Sequence, residues 1–159
     1  MILTDRIKFV VSVGSCLGAA AISSLWTSSS VDSWYRTLEK PSFNPPSWVF
    51  GPVWTVLYIS MGVALYLVWK QTPLDRNQQR GLAWFWMQLF FNALWSFLFF
   101  YLRSPGAALI DIILLWACIA ATINFFRRTS VTAALLLVPY LAWVSFAACL
   151  NFAIWRLNS

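Results

Sequence analysis

The sequence predicts an all-α fold: an integral membrane bundle of five transmembrane helices, with an ordered proline- and tryptophan-rich loop between the first and second. Three observations lead there. Of 159 residues, 60% are apolar and 10% are charged, whereas a soluble domain carries about 25% charge. Apolar runs of about 20 residues recur, each long enough to cross a hydrocarbon core of roughly 30 Å. Between Trp34 and Trp54 lies the one long segment that is neither apolar throughout nor a short connection. It holds four of the seven prolines (Pro41, Pro45, Pro46, Pro52) and three of the eleven tryptophans (Trp34, Trp48, Trp54).

The chain reads as one domain over residues 1–159, with spans near 7–26, 49–69, 81–102, 107–126 and 132–155. The first span, Ile7 to Trp26, is too long for a signal peptide and lacks a clear cleavage site. It carries Gly14-Ser-Cys-Leu-Gly18 followed by Ala19, Ala20 and Ala21. Such small residues let a neighbouring helix or a ligand approach the backbone, so packing within the bundle, dimerisation and pocket lining all remain open. The tract Thr27 to Ser30 is taken to end this span.

The segment after it is rigid but irregular, because each proline fixes φ, removes a donor and drives the preceding residue out of the helical region. Its aromatic side chains need apolar surroundings, which makes it a lid over a cavity. In the second span Pro52 falls in the first turn, where a missing N–H is tolerated. Trp54, Tyr58, Met61 and Leu65 form one stripe there.

Gln88, Asn92 and Trp95 share a face of the third span at i, i+4 and i+7. Pro105 and Gly106 open the fourth, with Asp111 a turn or so inside, and Arg127 and Arg128 close it. In the fifth span Pro139 invites a kink, and Tyr140, Trp143, Ala147 and Asn151 share a face. Counting Lys and Arg, seven flank the N-terminal side and four the other, which puts the N-terminus in the cytoplasm of a plasma-membrane protein.

Composition excludes several functions. The basic residues behind the net charge of +6 sit at span ends, where they meet headgroups. No basic stripe exists to bind nucleic acid. Histidine is absent, so there is no histidine-based triad, haem or zinc site. No glycine-rich phosphate loop is present, and neither a cofactor nor a metal is expected. Cys16, Cys118 and Cys149 lie in apolar runs without CxxC spacing and read as small buried hydrophobes.

Polar residues inside spans are costly and face the bundle interior. Here they are Gln88, Asn92, Asp111 and Asn151, with Asn124 near an end. Asp111 is either a proton or cation site or an anion at a helix N-terminus paired with an arginine. Gln88 and Asn92 either bond a ligand or bridge helices, the latter contributing about 0.6 kcal/mol. Trp54 and Trp143 share faces with Tyr58 and Tyr140, whereas Trp26, Trp69 and Trp155 read as interface anchors. An aromatic cavity with a few amides suits a large, flat, mostly apolar ligand.

The residues resemble the translocator protein family, also called tryptophan-rich sensory proteins or peripheral benzodiazepine receptors. The resemblance rests on Trp34-Tyr-Arg-Thr-Leu-Glu-Lys-Pro41 with Asn44-Pro-Pro46, and Trp48-Val-Phe-Gly-Pro-Val-Trp54 with Leu57-Tyr58. Further on come Gln88-Leu89 with Asn92 and Trp95, and Pro139-Tyr-Leu-Ala-Trp143 with Phe146-Ala147 and Leu150-Asn151. These stretches arrive in the family's order and cover all but the first helix.

The resemblance implies a five-helix membrane bundle, commonly a homodimer, that binds porphyrins such as protoporphyrin IX. It implies a ligand cavity lined by Tyr35, Pro45, Trp54, Asn92, Trp95, Trp143 and Ala147, with Ala19 added from the first helix. The shared faces add Tyr58, Gln88 and Tyr140. Three functions stay open: tetrapyrrole sensing or transport, light-dependent porphyrin degradation with Trp54 and Trp143 as the catalytic pair, and a sterol- or lipid-binding scaffold. Animal members bind cholesterol through a pattern ending Tyr…Lys/Arg. Phe152 stands where that tyrosine would be, upstream of Arg156, which weighs against tight sterol binding. The short chain suits a bacterial member.

Overall fold

The computed structural model describes residues 2–71 and 73–159, with side chains from residue 4 onward. The described residues form α1 (Ile2–Val31), the short α2 (Trp34–Thr37), α3 (Ser47–Trp69), α4 (Arg76–Ser96), a π-helical turn (Phe97–Tyr101), α5 (Pro105–Phe126) and α6 (Val131–Leu157). Five of these helical segments are long and apolar enough to cross a membrane, α4 doing so together with its π-turn. The protein is a multi-pass, all-α integral membrane protein. Around the bundle α1 neighbours α3, α3 neighbours α6, α6 neighbours α5, α5 neighbours α4, and α4 returns to α1. Outward residues such as Val10, Phe90, Ile110 and Ile113 are exposed apolar side chains, as a lipid-facing surface requires.

The helices extend past the expected spans for local reasons. The tract Thr27 to Ser30 does not end α1. The hydroxyls of Ser24, Thr27, Ser28 and Ser29 donate to carbonyls three or four residues back, at 2.6–3.1 Å, so they compete with no helical N–H and the helix runs on. α4 starts five residues before the expected Gly81. A capping box forms there: Asp75 accepts from the Gln78 N–H at 2.7 Å, and the Gln78 side chain accepts from the Asp75 N–H at 2.6 Å. α3 begins at Ser47, so Pro52 lies beyond the first turn, inside the helix.

At the far end of α4 the Leu102 N–H reaches back five residues to the Phe97 carbonyl at 2.9 Å, the mark of a π-turn. Arg103, at φ 52°, reverses the chain into α5, with Pro105 at its first turn. Ser130 caps α6 by accepting from the Ala133 N–H at 3.2 Å.

Packing differs between the two halves of the bundle. At the N-terminal end of α1 a Cβ on Gly62 would lie 2.7 Å from the Val13 Cα, so α1 and α3 touch backbone to backbone. The glycines of the GxxxG do not serve this contact, since a Cβ on Gly14 or Gly18 would meet nothing within 4 Å. Gly81 gives Phe125 and Phe126 room against α4. Phe85 and Phe126 stack at 6.0 Å in a core with Met61, Leu65, Val68 and Leu137. At the lid end α1 and α3 leave a gap, and the candidate site lies there.

Candidate functional site

A cavity of about 570 Å³ fills the lid half of the bundle. Its deepest walls are aromatic. Trp54 on α3 lies 5.6 Å from Tyr58 on the same helix and 6.5 Å from Trp143 on α6, with the two indoles at 89°. Phe50 packs edge-on against Trp143 at 5.9 Å. On the opposite wall Trp95 stacks on Phe99 at 5.2 Å. The π-turn makes this possible: its extra residue brings both Phe99 and Phe100 inward, where they are buried.

Amides fix these rings. The Tyr58 hydroxyl donates to Asn92 Oδ1, and Asn92 Nδ2 donates to the Tyr140 hydroxyl at 2.8 Å. One asparagine thus ties α3, α4 and α6 together. Trp95 Nε1 donates to Asn151 Oδ1 at 2.9 Å, and Asn151 Nδ2 donates to the Pro105 carbonyl at 2.8 Å. Trp143 differs, because its buried indole N–H has no partner.

The lid spans residues 38–46 after α2. Tyr35 packs on Phe99 and Phe100 at 6.2 and 5.7 Å, and its hydroxyl donates to Asn44 Oδ1 at 3.1 Å. Lys40 Nζ sits 4.7 Å from the Tyr35 ring centre, within cation–π range. Burial pushes the Tyr35 phenol above its ordinary 10.0. Phe43 reaches Phe146 on α6 at 6.3 Å. The C-terminus adds a clasp: Asn158 bonds both backbone groups of Glu39.

The cavity opens between α1 and α3, where lining residues Ala21, Ser24 and Ser28 of α1 and Gly51 and Thr55 of α3 are exposed. Among the described residues its lining contains no charged side chain.

Seven of the expected site residues line this one cavity: Tyr35, Trp54, Tyr58, Asn92, Trp95, Trp143 and Ala147. Four lie elsewhere. Tyr140 is fully buried behind Asn92. Gln88, one turn along α4, is fully buried with both amide atoms unpartnered. Ala19 packs against the main core, and Pro45 is half-buried in the lid, its carbonyl accepting from Asn44 Nδ2 at 3.2 Å. Asp111 is buried on α5, and neither of its oxygens has a partner. No arginine pairs with it: the ion pair found among the described residues joins Arg36 to Asp32 on the surface. Sequence reasoning missed Phe50, Phe99, Phe100 and the hydroxyl-bearing end of α1. Phe99 and Phe100 became legible only with the π-turn.

A sequence model of the TspO/MBR family matches residues 12–156. The chain is 45% identical over 153 residues to the tryptophan-rich protein TspO of Archaeoglobus fulgidus, covering 96% of this chain and 98% of that one. It is 44% identical over 135 residues to the translocator protein of Homo sapiens, covering 79% and 75%. With the tryptophan-rich sensory protein of Cereibacter sphaeroides it shares 37% identity over 154 residues, covering 97% and 93%. A membrane bundle of this helix order, matched over nearly its whole length by such relatives, belongs to the TspO/MBR family.

Proposed function

We propose that the protein binds porphyrins of the protoporphyrin IX type, and similar flat hydrophobic ligands, in the aromatic cavity, and acts in tetrapyrrole sensing or transport. One observation carries the reading: Trp54 and Trp143 meet at 6.5 Å and 89° beside a cavity of about 570 Å³. That volume lies within the range of small-molecule sites, and rings at right angles clasp a flat ligand by stacking on one and edge contact on the other. The relatives' names, translocator and sensory protein, support carriage or sensing at this level. The exposed, unpacked face of Gly14 and Gly18 supports a homodimer.

Titration of purified protein with protoporphyrin IX in the dark tests the binding. Saturable quenching of tryptophan fluorescence is expected, weakened at least tenfold in Trp143→Ala. Quenching that is linear in porphyrin, or unchanged in Trp54→Ala and Trp143→Ala alike, overturns it.

The contact between the two indoles also favours a second reading, light-dependent porphyrin breakdown. Porphyrin absorbance would then fall faster under light than with an inert membrane protein, and Trp54→Phe or Trp143→Phe would slow the fall while leaving dark binding in place. Equal rates in all samples remove this reading.

A further inference from the structure

Among the described residues the cavity lining carries no charge, whereas a porphyrin of the protoporphyrin IX type is a dicarboxylate. A carboxylate drawn into an apolar interior without a partner is strongly disfavoured. The deep end is plugged by Met61, Leu65 and Phe85, each at most 1% exposed, so acid groups have to stay at the lid. There a cation stands against a lining ring. Lys40 Nζ lies 4.7 Å from the centre of the Tyr35 ring, and Tyr35 lines the cavity. Lys40 is half-buried and sits outside the membrane spans, between Val31 and Ser47. Of its three ammonium protons, one goes to the Leu38 carbonyl at 3.1 Å. No carboxylate of the protein takes the others: among the described residues the ion pair joins Arg36 to Asp32. The backbone beneath the lysine is fixed on both sides, by the Asn158 bonds to Glu39 and by the restricted φ of Pro41.

We infer that Lys40 is the anchor for a ligand carboxylate at the lid end of the cavity. Lysine is a compact charge on a flexible stem, so the ammonium swings past the edge of Tyr35 to meet an acid group while its methylenes stay on the ring. The ligand's orientation follows: apolar edge inward against Trp54, Trp95 and Trp143, acid groups outward under the lid. The site then favours flat amphipathic acids over their neutral esters. This deepens the proposed porphyrin-binding reading and rests on the same cavity.

The test titrates protoporphyrin IX and its dimethyl ester, and pyrenebutyrate and its methyl ester, at neutral pH in one nonionic detergent, with binding read through tryptophan fluorescence. Wild type is compared with Lys40→Met, which keeps an apolar stem on Tyr35 and loses the charge, and with Lys40→Arg, which keeps the charge. Each probe is compared with itself across the variants, so partitioning into detergent cancels. Lys40→Met is expected to weaken both acids about 2–5-fold, the scale of an ion pair at a surface, and to leave both esters unchanged. Lys40→Arg is expected to bind the acids as wild type does. Added salt is expected to weaken the acids in wild type and to have little effect on them in Lys40→Met. Equal losses for acid and ester in Lys40→Met would show that the lysine only props Tyr35, and overturn the inference. Acids that bind alike in wild type and Lys40→Met overturn it too. An acid-selective loss for pyrenebutyrate with no saturable binding of either porphyrin overturns the porphyrin reading alone. Saturable porphyrin binding indifferent to Lys40 overturns the anchor alone, and no binding of any probe overturns both.

Discussion

The Asn158 side chain closes a two-bond bridge onto the backbone of Glu39. Its Oδ1 accepts from the Glu39 N–H at 3.0 Å and its Nδ2 donates to the Glu39 carbonyl at 2.9 Å. It imitates the pairing of a neighbouring strand, across 119 residues of sequence. Asn158→Ala should therefore free the lid without unfolding the bundle. Because the site is exposed, the loss of stability should stay near 1 kcal/mol or less. Ligand on- and off-rates should rise together, and hydrogen exchange at the Glu39 amide should accelerate. Stopped-flow binding and exchange mass spectrometry read both; unaltered rates with faster exchange would show that ligands do not pass the lid.

Asn92 is the buried node between Tyr58 and Tyr140. Asn92→Leu removes both hydrogen bonds and strands two phenols in the apolar interior. Each unpaired buried group costs about 1–3 kcal/mol, so thermal unfolding in detergent should begin several degrees lower. Adding Tyr58→Phe to Asn92→Leu should recover part of the loss, since one stranded group is then gone. A double variant less stable than the single would contradict this account of the node.

Tyr35 makes the lid sensitive to strongly alkaline pH. Burial raises its phenol above 10.0, so the folded lid holds the proton more tightly than the unfolded chain. The lid's contribution is complete below pH 10.0 and declines as pH climbs through the raised value. Lid opening, followed by cleavage with an alkali-tolerant protease relative to an unfolded reference peptide at each pH, should increase there in wild type. In Tyr35→Phe the rise should vanish.

Gly62 is the close contact between α1 and α3. In Gly62→Ala the new Cβ would lie 2.7 Å from the Val13 Cα, and neither backbone can step aside cheaply. Overpacking of this kind costs about 1–3 kcal/mol. The variant should unfold at lower temperature, whereas Gly14→Ala, whose Cβ meets open space, should unfold as wild type does. Equal midpoints for the two would show that α1 is free to slide.

The five spans were legible because lipid demands long apolar runs, and such runs survive any ambiguity of local propensity. Their ends were less so. Thr27 to Ser30 looked like a stop because hydroxyl residues break helices in water. In an apolar setting they return their protons to their own helix and let it continue. The start of α4 was written in Asp75 and Gln78, a capping pair that a search for apolar runs passes over. The π-turn at Phe97–Tyr101 changes neither composition nor hydropathy, so nothing in the sequence marks the rotation that brings Phe99 and Phe100 inward. Trp54, Asn92, Trp95 and Trp143 were marked by the helix faces they share with other aromatic or amide side chains as well as by family resemblance, and the structure places them around one cavity. Asn158 had no signal at all, since its partner is a backbone that any residue would supply.

The filled half of the bundle makes the cavity a blind chamber. On α3 the lining stops at Tyr58, and on α4 it reaches no further from the lid than Asn92. Beyond them Met61, Leu65, Phe85 and Phe126 are at most 1% exposed. A solute seated beside Trp54 meets a solid plug in the direction of Lys70 and leaves on the side by which it came. Movement across the bilayer through the interior of one chain would require Phe85 and Phe126 to unstack and the Gly62 contact to part. A carrier built this way hands its cargo back to the same leaflet, or passes it along an outer surface.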